Sequence, residues 1–289
     1  MSKLSIRRPV VAGRFYPGDR SSCVRQIEQC LPAAPSPDVP DKIVAGLAPH
    51  AGWTYSGALA AKVFAAIKAQ GAPETFVLLS AAHRWGVPIP AVYASGSWST
   101  PLGEIEVDEE LATAVLEAGA GLLADSPKAH SGEHSAEVQV PFIQHLFPEA
   151  RILPILFPPD ANTARAGEII GQVVSAAQKH VVVVGTTDLT HYGRSYGFAP
   201  AGTGHQALEW TQANDERVIK LILDTRAEEI VAETNAHRNA CGGGAIAGTV
   251  AAARVLGAKK GHLLEYTTSH YVMPRGPATD FVGYAAIVF

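Results

Sequence analysis

Four histidines, one aspartate and one cysteine in this chain stand where an α/β protein does its chemistry. His50, in APHAGWTYSG, follows the apolar run 42–48, and His83, in SAAHRWG, follows the run 75–81. Asp188 and His191, in GTTDLTHYG, follow the run 180–187. His134 lies in SGEHSAEVQ, where a helical pattern begins, and Cys241 in NACGGGAIAG, just before an Ala-rich helical pattern. Open α/β sheets collect ligands in the crevice outside the carboxyl ends of their strands, so these side chains are expected to face one crevice. Imidazoles with one anionic ligand suit a mid-to-late first-row divalent ion. Two histidines and a carboxylate would make the facial triad of non-haem iron(II) enzymes; a thiolate in its place keeps the charge and favours softer ions. Iron(II) is the first expectation for the cofactor, with copper or zinc as the alternatives. A helix N-terminus favours the thiolate form that binds metals. Three protein ligands leave coordination positions open, as a catalytic ion needs, and no short CxxC spacing suggests a structural zinc site.

Taken singly, each residue has a plainer explanation. His50 after a proline satisfies its own turn, Asp188 caps a short helix, and Ser131 and Glu133 resemble a capping arrangement before the 136–147 helix. Cys241 before three glycines is a small residue at a tight helix entry. Their joint placement at strand ends is what favours chemistry. The same residues without a metal would make a Cys-dependent hydrolase, with Cys241 as nucleophile and His50 or His191 as base.

The elements that must position them alternate. The runs 42–48, 75–81, 151–157 and 180–187 are apolar without interruption, as strands covered on both faces are. Helical patterns occupy 56–70, 108–119, 136–147, 166–179, 205–224, 226–235 and 243–257, and strand-like runs return at 261–271 and 280–289. This βαβ alternation predicts an α/β fold whose central sheet, mainly parallel or mixed, carries helices on both faces. The Pro-rich stretch 32–42 follows too short a segment to be an interdomain linker, so it is read as a loop after an N-terminal helix, and 1–289 as one domain.

The chain has 289 residues, a formal charge of −4 and 17% charged residues. That charge, with no Lys/Arg run, argues against a nucleic-acid partner. No apolar stretch has the length to span a bilayer, and the basic start lacks the apolar core of a signal peptide. No membrane partner is expected, and the location is expected to be cytoplasmic. The three cysteines are too few and scattered for a disulfide framework, so Cys23 and Cys30, seven residues apart, are read as buried apolar residues on one helix face.

RRPVVAGRFYPGD, LAPHAGWTYSG, SGEHSAEVQVPF and TTDLTHYG, in this order, resemble segments of the Memo family, called AmmeMemoRadiSam system protein B in bacteria. The resemblance runs from about residue 7 to the C-terminus. It implies a fold like that of the LigB-type class III extradiol dioxygenases. It also implies a metal site at His50, His83 and Cys241, the cysteine standing where those dioxygenases have a glutamate. Asp188 and His191 would line the pocket, and with His134 they are the candidate catalytic residues, His191 exchanging protons with a bound small molecule. The family's GPSHH segment reads SAAHR here, placing Arg84 beside the site, where it would favour an anionic substrate. CGGGAIAG replaces a bulkier CGxxPI. The family context adds an association with a radical-SAM protein. The function so implied is a metal-dependent, dioxygenase-like oxidoreductase; the alternative is a non-catalytic metal-binding, peptide-binding or signalling protein on the same fold.

Overall fold

Val182 and Val184 point into one hydrophobic core, while Val181 and Val183, on the same strand, point into another. Phe76 and Leu78 likewise join the first core, and Val77 and Leu79 the second. Successive side chains of a strand face opposite ways, so a strand between two cores has no polar face. This explains the unbroken apolar runs of the sequence.

The structure, a computed structural model, describes residues 5–34, 36, 39–83 and 86–289. In chain order the strands are β1 (Ile6–Arg7), β2 (Ala45–Ala48), β3 (Thr75–Ala81), β4 (Ala91–Val92), β5 (Ser97–Thr100) and β6 (Gly103–Glu106). There follow β7 (Ala124–Asp125), β8 (Arg151–Phe157), β9 (Val181–Thr186), β10 (His191–Tyr192), β11 (His262–Thr268) and β12 (Phe281–Val288). The large sheet has nine strands in the order β10-β12-β2-β9-β3-β8-β4-β7, with β11 also paired to β12. Its centre, β2-β9-β3-β8, is parallel, and antiparallel pairings of β12 and β4 flank it. A small sheet, β1-β5-β6, lies apart.

Helices α1 (Arg20–Cys30), α2 (Trp53–Ala69) and α4 (Val140–Leu146) bury Ile27, Phe64 and Phe142 in the first core. The second core is covered by α3 (Glu109–Ala118), α5 (Thr163–Ala176), α6 (His205–Leu223), α7 (Ala227–His237) and α8 (Gly243–Val255) through residues such as Leu111, Ile170, Val218, Ile230 and Val250. The mixed sheet with helices on both faces is therefore the α/β architecture expected. No helix among the described residues is long and apolar enough to cross a membrane.

Two elements differ in detail. The helix expected over 136–147 is a 3-10 turn, Glu137–Gln139, followed by α4, whose first turn holds Pro141; a ring without an N–H suits a helix start, not its middle. The strand expected over 261–271 stops at Thr268, whose hydroxyl caps the short helix α9 (Ser269–Val272) by accepting the Tyr271 N–H. The two-residue strands and the small sheet carry too few residues to register as a pattern. Parts of the 32–42 loop, and Arg84, lie outside the described residues.

Candidate metal centre

His50 follows β2 and is only 2% exposed. Its main chain is fixed by Asp188, whose Oδ1 accepts the His50 N–H at 2.7 Å and the Ala51 N–H at 3.2 Å. Asp188 thus acts as a brace between the ends of β2 and β9, and burial pushes its pKa up. The His50 ring meets Thr186 Oγ1 through Nδ1 at 3.1 Å and Cys241 Sγ through Nε2 at 3.2 Å. Burial, reinforced by His83, lowers the pKa of His50 well below its ordinary value. It is the neutral, metal-competent form.

Cys241 is held against the same loop: its N–H donates to the Asp188 carbonyl at 3.1 Å, and the Asp188 N–H donates to Sγ at 3.4 Å. The glycines that follow are a steric requirement. A Cβ at Gly242 would lie 2.7 Å from the Thr186 carbonyl, and one at Gly244 2.0 Å from that of Pro158. The start of α8 is thereby pressed onto the ends of β9 and β8, and the sulfur is brought to the sheet edge. Cys23 and Cys30 take no part: burial pushes their thiols up to about 12 and about 11.

His83 follows β3. Glu133 accepts its N–H at 2.8 Å and its Nδ1–H at 3.0 Å. The same carboxylate accepts the N–H groups of His134 and Ser135, and lies 3.3 Å from His134 Nδ1. One buried glutamate therefore orients two imidazoles, whose rings stack at 4.8 Å with 22° between planes. His50 stands edge-on to both, at 5.0 Å from His83 and 5.5 Å from His134. Burial alone would lower the pKa of His83, but the Cys241 sulfur and Glu133 outweigh it and push it up to about 10. Burial, with His83 alongside, brings His134 down to about 4. Burial favours the neutral form of Glu133, yet His83 and the backbone donors hold it well below the usual carboxylate range.

The N-terminal arm secures this corner. Arg7 donates to the carbonyls of His130 and Glu133 and pairs with Glu137 at 2.8 Å. Glu137 also accepts the Tyr16 hydroxyl and the Val10 and Val11 N–H groups. The arm so anchored sets Phe15 edge-on against His134 at 5.0 Å.

Ligand atoms of His50, His83 and Cys241 lie within 4.8 Å of one another. His83, Glu133 and His134 form a second such group, but Glu133 there already accepts the His83 Nδ1–H and the N–H groups of His83, His134 and Ser135, so it orients rather than ligates. A cavity of about 470 Å3 opens above, lined by His50, His83, His134, Asp188 and His191 among others. His191 donates Nδ1–H to the Leu189 carbonyl at 3.0 Å, which leaves Nε2 for the cavity, and packs edge-on to Tyr196 at 5.2 Å. Five of the six sequence-derived residues thus face this cavity, as expected of one crevice; Cys241 lies outside its lining and meets the group through His50 Nε2. Glu133 and Tyr196 are the participants that sequence reasoning missed as site residues; the adjacency of Glu133 to His134 in SGEHS was the one available signal.

The chain has full-length relatives among known proteins. It is 40% identical, over 98% of its length and 99% of the relative's, to a MEMO1 family protein of Thermococcus onnurineus. It is 37% identical to MEMO1 family protein MK0963 of Methanopyrus kandleri, over 98% of each chain. Among solved structures, uncharacterized protein JW3007 from Escherichia coli K12 superimposes with a TM-score of 0.51 at 12% identity, over 86% of this chain and 100% of that one; at that identity the likeness speaks for the fold alone. The profile of the Memo-like protein family matches residues 7–288, and the chain therefore belongs to that family.

Proposed function

We propose that this Memo-like protein is a metal-dependent oxidoreductase of LigB-like, dioxygenase type, acting on a small molecule in the cavity above His50, His83 and Cys241. One observation carries the reading: two imidazoles and a thiol, up to 191 residues apart in sequence, come within reach of one ion. The donor set fits a resident metal. His50 is held neutral, and His83 shows the carboxylate–histidine arrangement that orients metal-ligating imidazoles. Iron(II) suits the two-His, one-anion set best; the thiolate makes copper or zinc the competing ions. When bound, the ion supplies Lewis-acid or redox chemistry at its open positions.

The rest belongs to the chain's own residues. His191, with Nδ1 tied to a carbonyl, offers Nε2 to take up or return a substrate proton. His134, neutral and turned by Glu133, offers a second acceptor on the other side of His83. Asp188 braces His50 and Cys241 through the main chain. A protein that merely stores an ion has no use for two further imidazoles on an adjacent cavity, and this favours turnover over the metal-binding alternative. Family context supports work beside a radical-SAM protein in the cytoplasm; the net charge of −4 suits a small-molecule partner rather than a nucleic acid.

The test is elemental analysis of anaerobically purified wild type, His50→Ala and Cys241→Ala, followed by oxygen-uptake assays. Iron or copper near one per chain in wild type, lost in both variants, is the expected result. Wild type that retains neither iron nor copper would falsify the oxidoreductase reading.

A further inference from the structure

The candidate ligands do not all face one space. His50, with His134 and Asp188, lines the 470 Å3 cavity, whose lining does not include Cys241. Cys241 lines a second cavity of about 460 Å3, together with Thr234, Asn235, Arg238 and Ala240. His83, His191 and Tyr196 border both and form the partition. Tyr196 is set in place from the α7 side. Arg238 donates to the carbonyls of Tyr196 and Gly197, each at 3.3 Å, and stacks over Phe198 at 4.5 Å. Arg238 does this from a left-handed backbone, φ 52°, at the end of α7; a non-glycine residue held there marks a segment fixed by its surroundings.

Accessibility divides the ligands in the same way. His50 is almost wholly buried, whereas the His83 side chain is 32% exposed and Cys241 is half-buried. An incoming ion exchanges its ligands one at a time, so the exposed donors must capture it first.

We propose that the candidate centre is entered from two sides: soft and borderline metal ions and small thiol-directed reagents arrive through the Cys241 cavity, while the organic ligand occupies the His50 cavity. Cys241 and His83 make first contact with the ion, and His50 closes the set last. The inference rests on the proposed centre for its metal half alone; access to the sulfur is a property of the apoprotein.

The test uses two probes on the full chain. Methyl methanethiosulfonate transfers its methylthio group to the Cys241 thiolate, forming a disulfide and releasing methanesulfinate; peptide mapping separates this from the buried Cys23 and the half-buried Cys30. Cobalt(II) reports thiolate capture by a charge-transfer absorption band. Asn235→Trp, at an exposed position of α7, narrows the Cys241 cavity, and so does Ala240→Leu, also in its lining. Met273→Trp crowds the His50 cavity instead. Expected is a slowing of about tenfold or more in both probes for Asn235→Trp and Ala240→Leu, with unchanged end points, and a change of less than about twofold for Met273→Trp, since thiol exchange rates follow access. His50→Ala keeps the fast cobalt–thiolate phase and loses final affinity. Slowing by Met273→Trp alone, or by none of the three, overturns the proposal. Labelling that slows as expected in a protein that never takes up cobalt keeps the entrance and refutes the metal centre.

Discussion

Glu133 is the residue on which the site's electrostatics turn. A single carboxylate orients the rings of His83 and His134 and, together with the Cys241 sulfur, keeps His83 charged when no ion is bound. Glu133→Gln keeps the shape and removes the charge, so metal affinity is expected to fall about 10- to 100-fold, the usual cost of losing such an orienting partner; chelator competition measures it. A pH dependence follows as well. His83 holds its proton up to about pH 10 in the ion-free protein and must lose it to ligate. Metal uptake near neutral pH therefore releases that proton, and affinity rises with pH until His83 is neutral. Calorimetry in buffers of different ionisation enthalpy reads the proton count, and uptake without release contradicts the assignment. His50, His83 and Cys241 were legible in the sequence because each adjoins a strand end or a helix entry. Glu133 was read as a helix cap, because its real partner, His83, lies 50 residues away and is delivered only by the fold.

At the scale of elements, the entry to α8 is a tight joint. Gly244 packs where a Cβ would stand 2.0 Å from the Pro158 carbonyl at the end of β8. Gly244→Ala is expected to push the helix start off the sheet edge, at roughly 1–3 kcal/mol by the usual cost of overpacking, and to weaken metal binding because Cys241 moves with it. Urea denaturation and chelator competition measure the two effects; a variant that keeps both wild-type values removes this account of the glycines. The long strands were legible because burial on both faces leaves an unmistakable apolar run. β1, β4, β7 and β10 were not, since two residues cannot show a period. The end of β11 was hidden for another reason: Thr268 serves both strand and cap, and its hydroxyl decides the matter through a local hydrogen bond.

For the whole molecule, the buried Asp215 of α6 links stability to pH away from the candidate centre. It accepts the Thr190 N–H at 2.9 Å and the Tyr266 hydroxyl at 2.8 Å, and burial pushes its pKa from 3.8 up to about 7. A raised pKa means that the native state favours the proton. The stabilisation is complete below about pH 4 and is lost as pH rises through 7. Asp215→Asn imitates the protonated form, so its unfolding free energy should gain on wild type between about pH 4 and pH 7, by up to about 1.4 kcal/mol per unit of displaced pKa. Parallel melting curves across that range would refute the assignment. The centre itself draws on both halves of the chain: its donors follow β2 and β3 and precede α8, and no partly formed sheet contains all three. Occupancy and folding are consequently linked. An ion at a thousand times its dissociation constant would raise the unfolding free energy by about 4 kcal/mol, and an amino-terminal fragment ending before Cys241 would be blind to it. A cell short of that ion would thus hold a less durable pool of the folded chain.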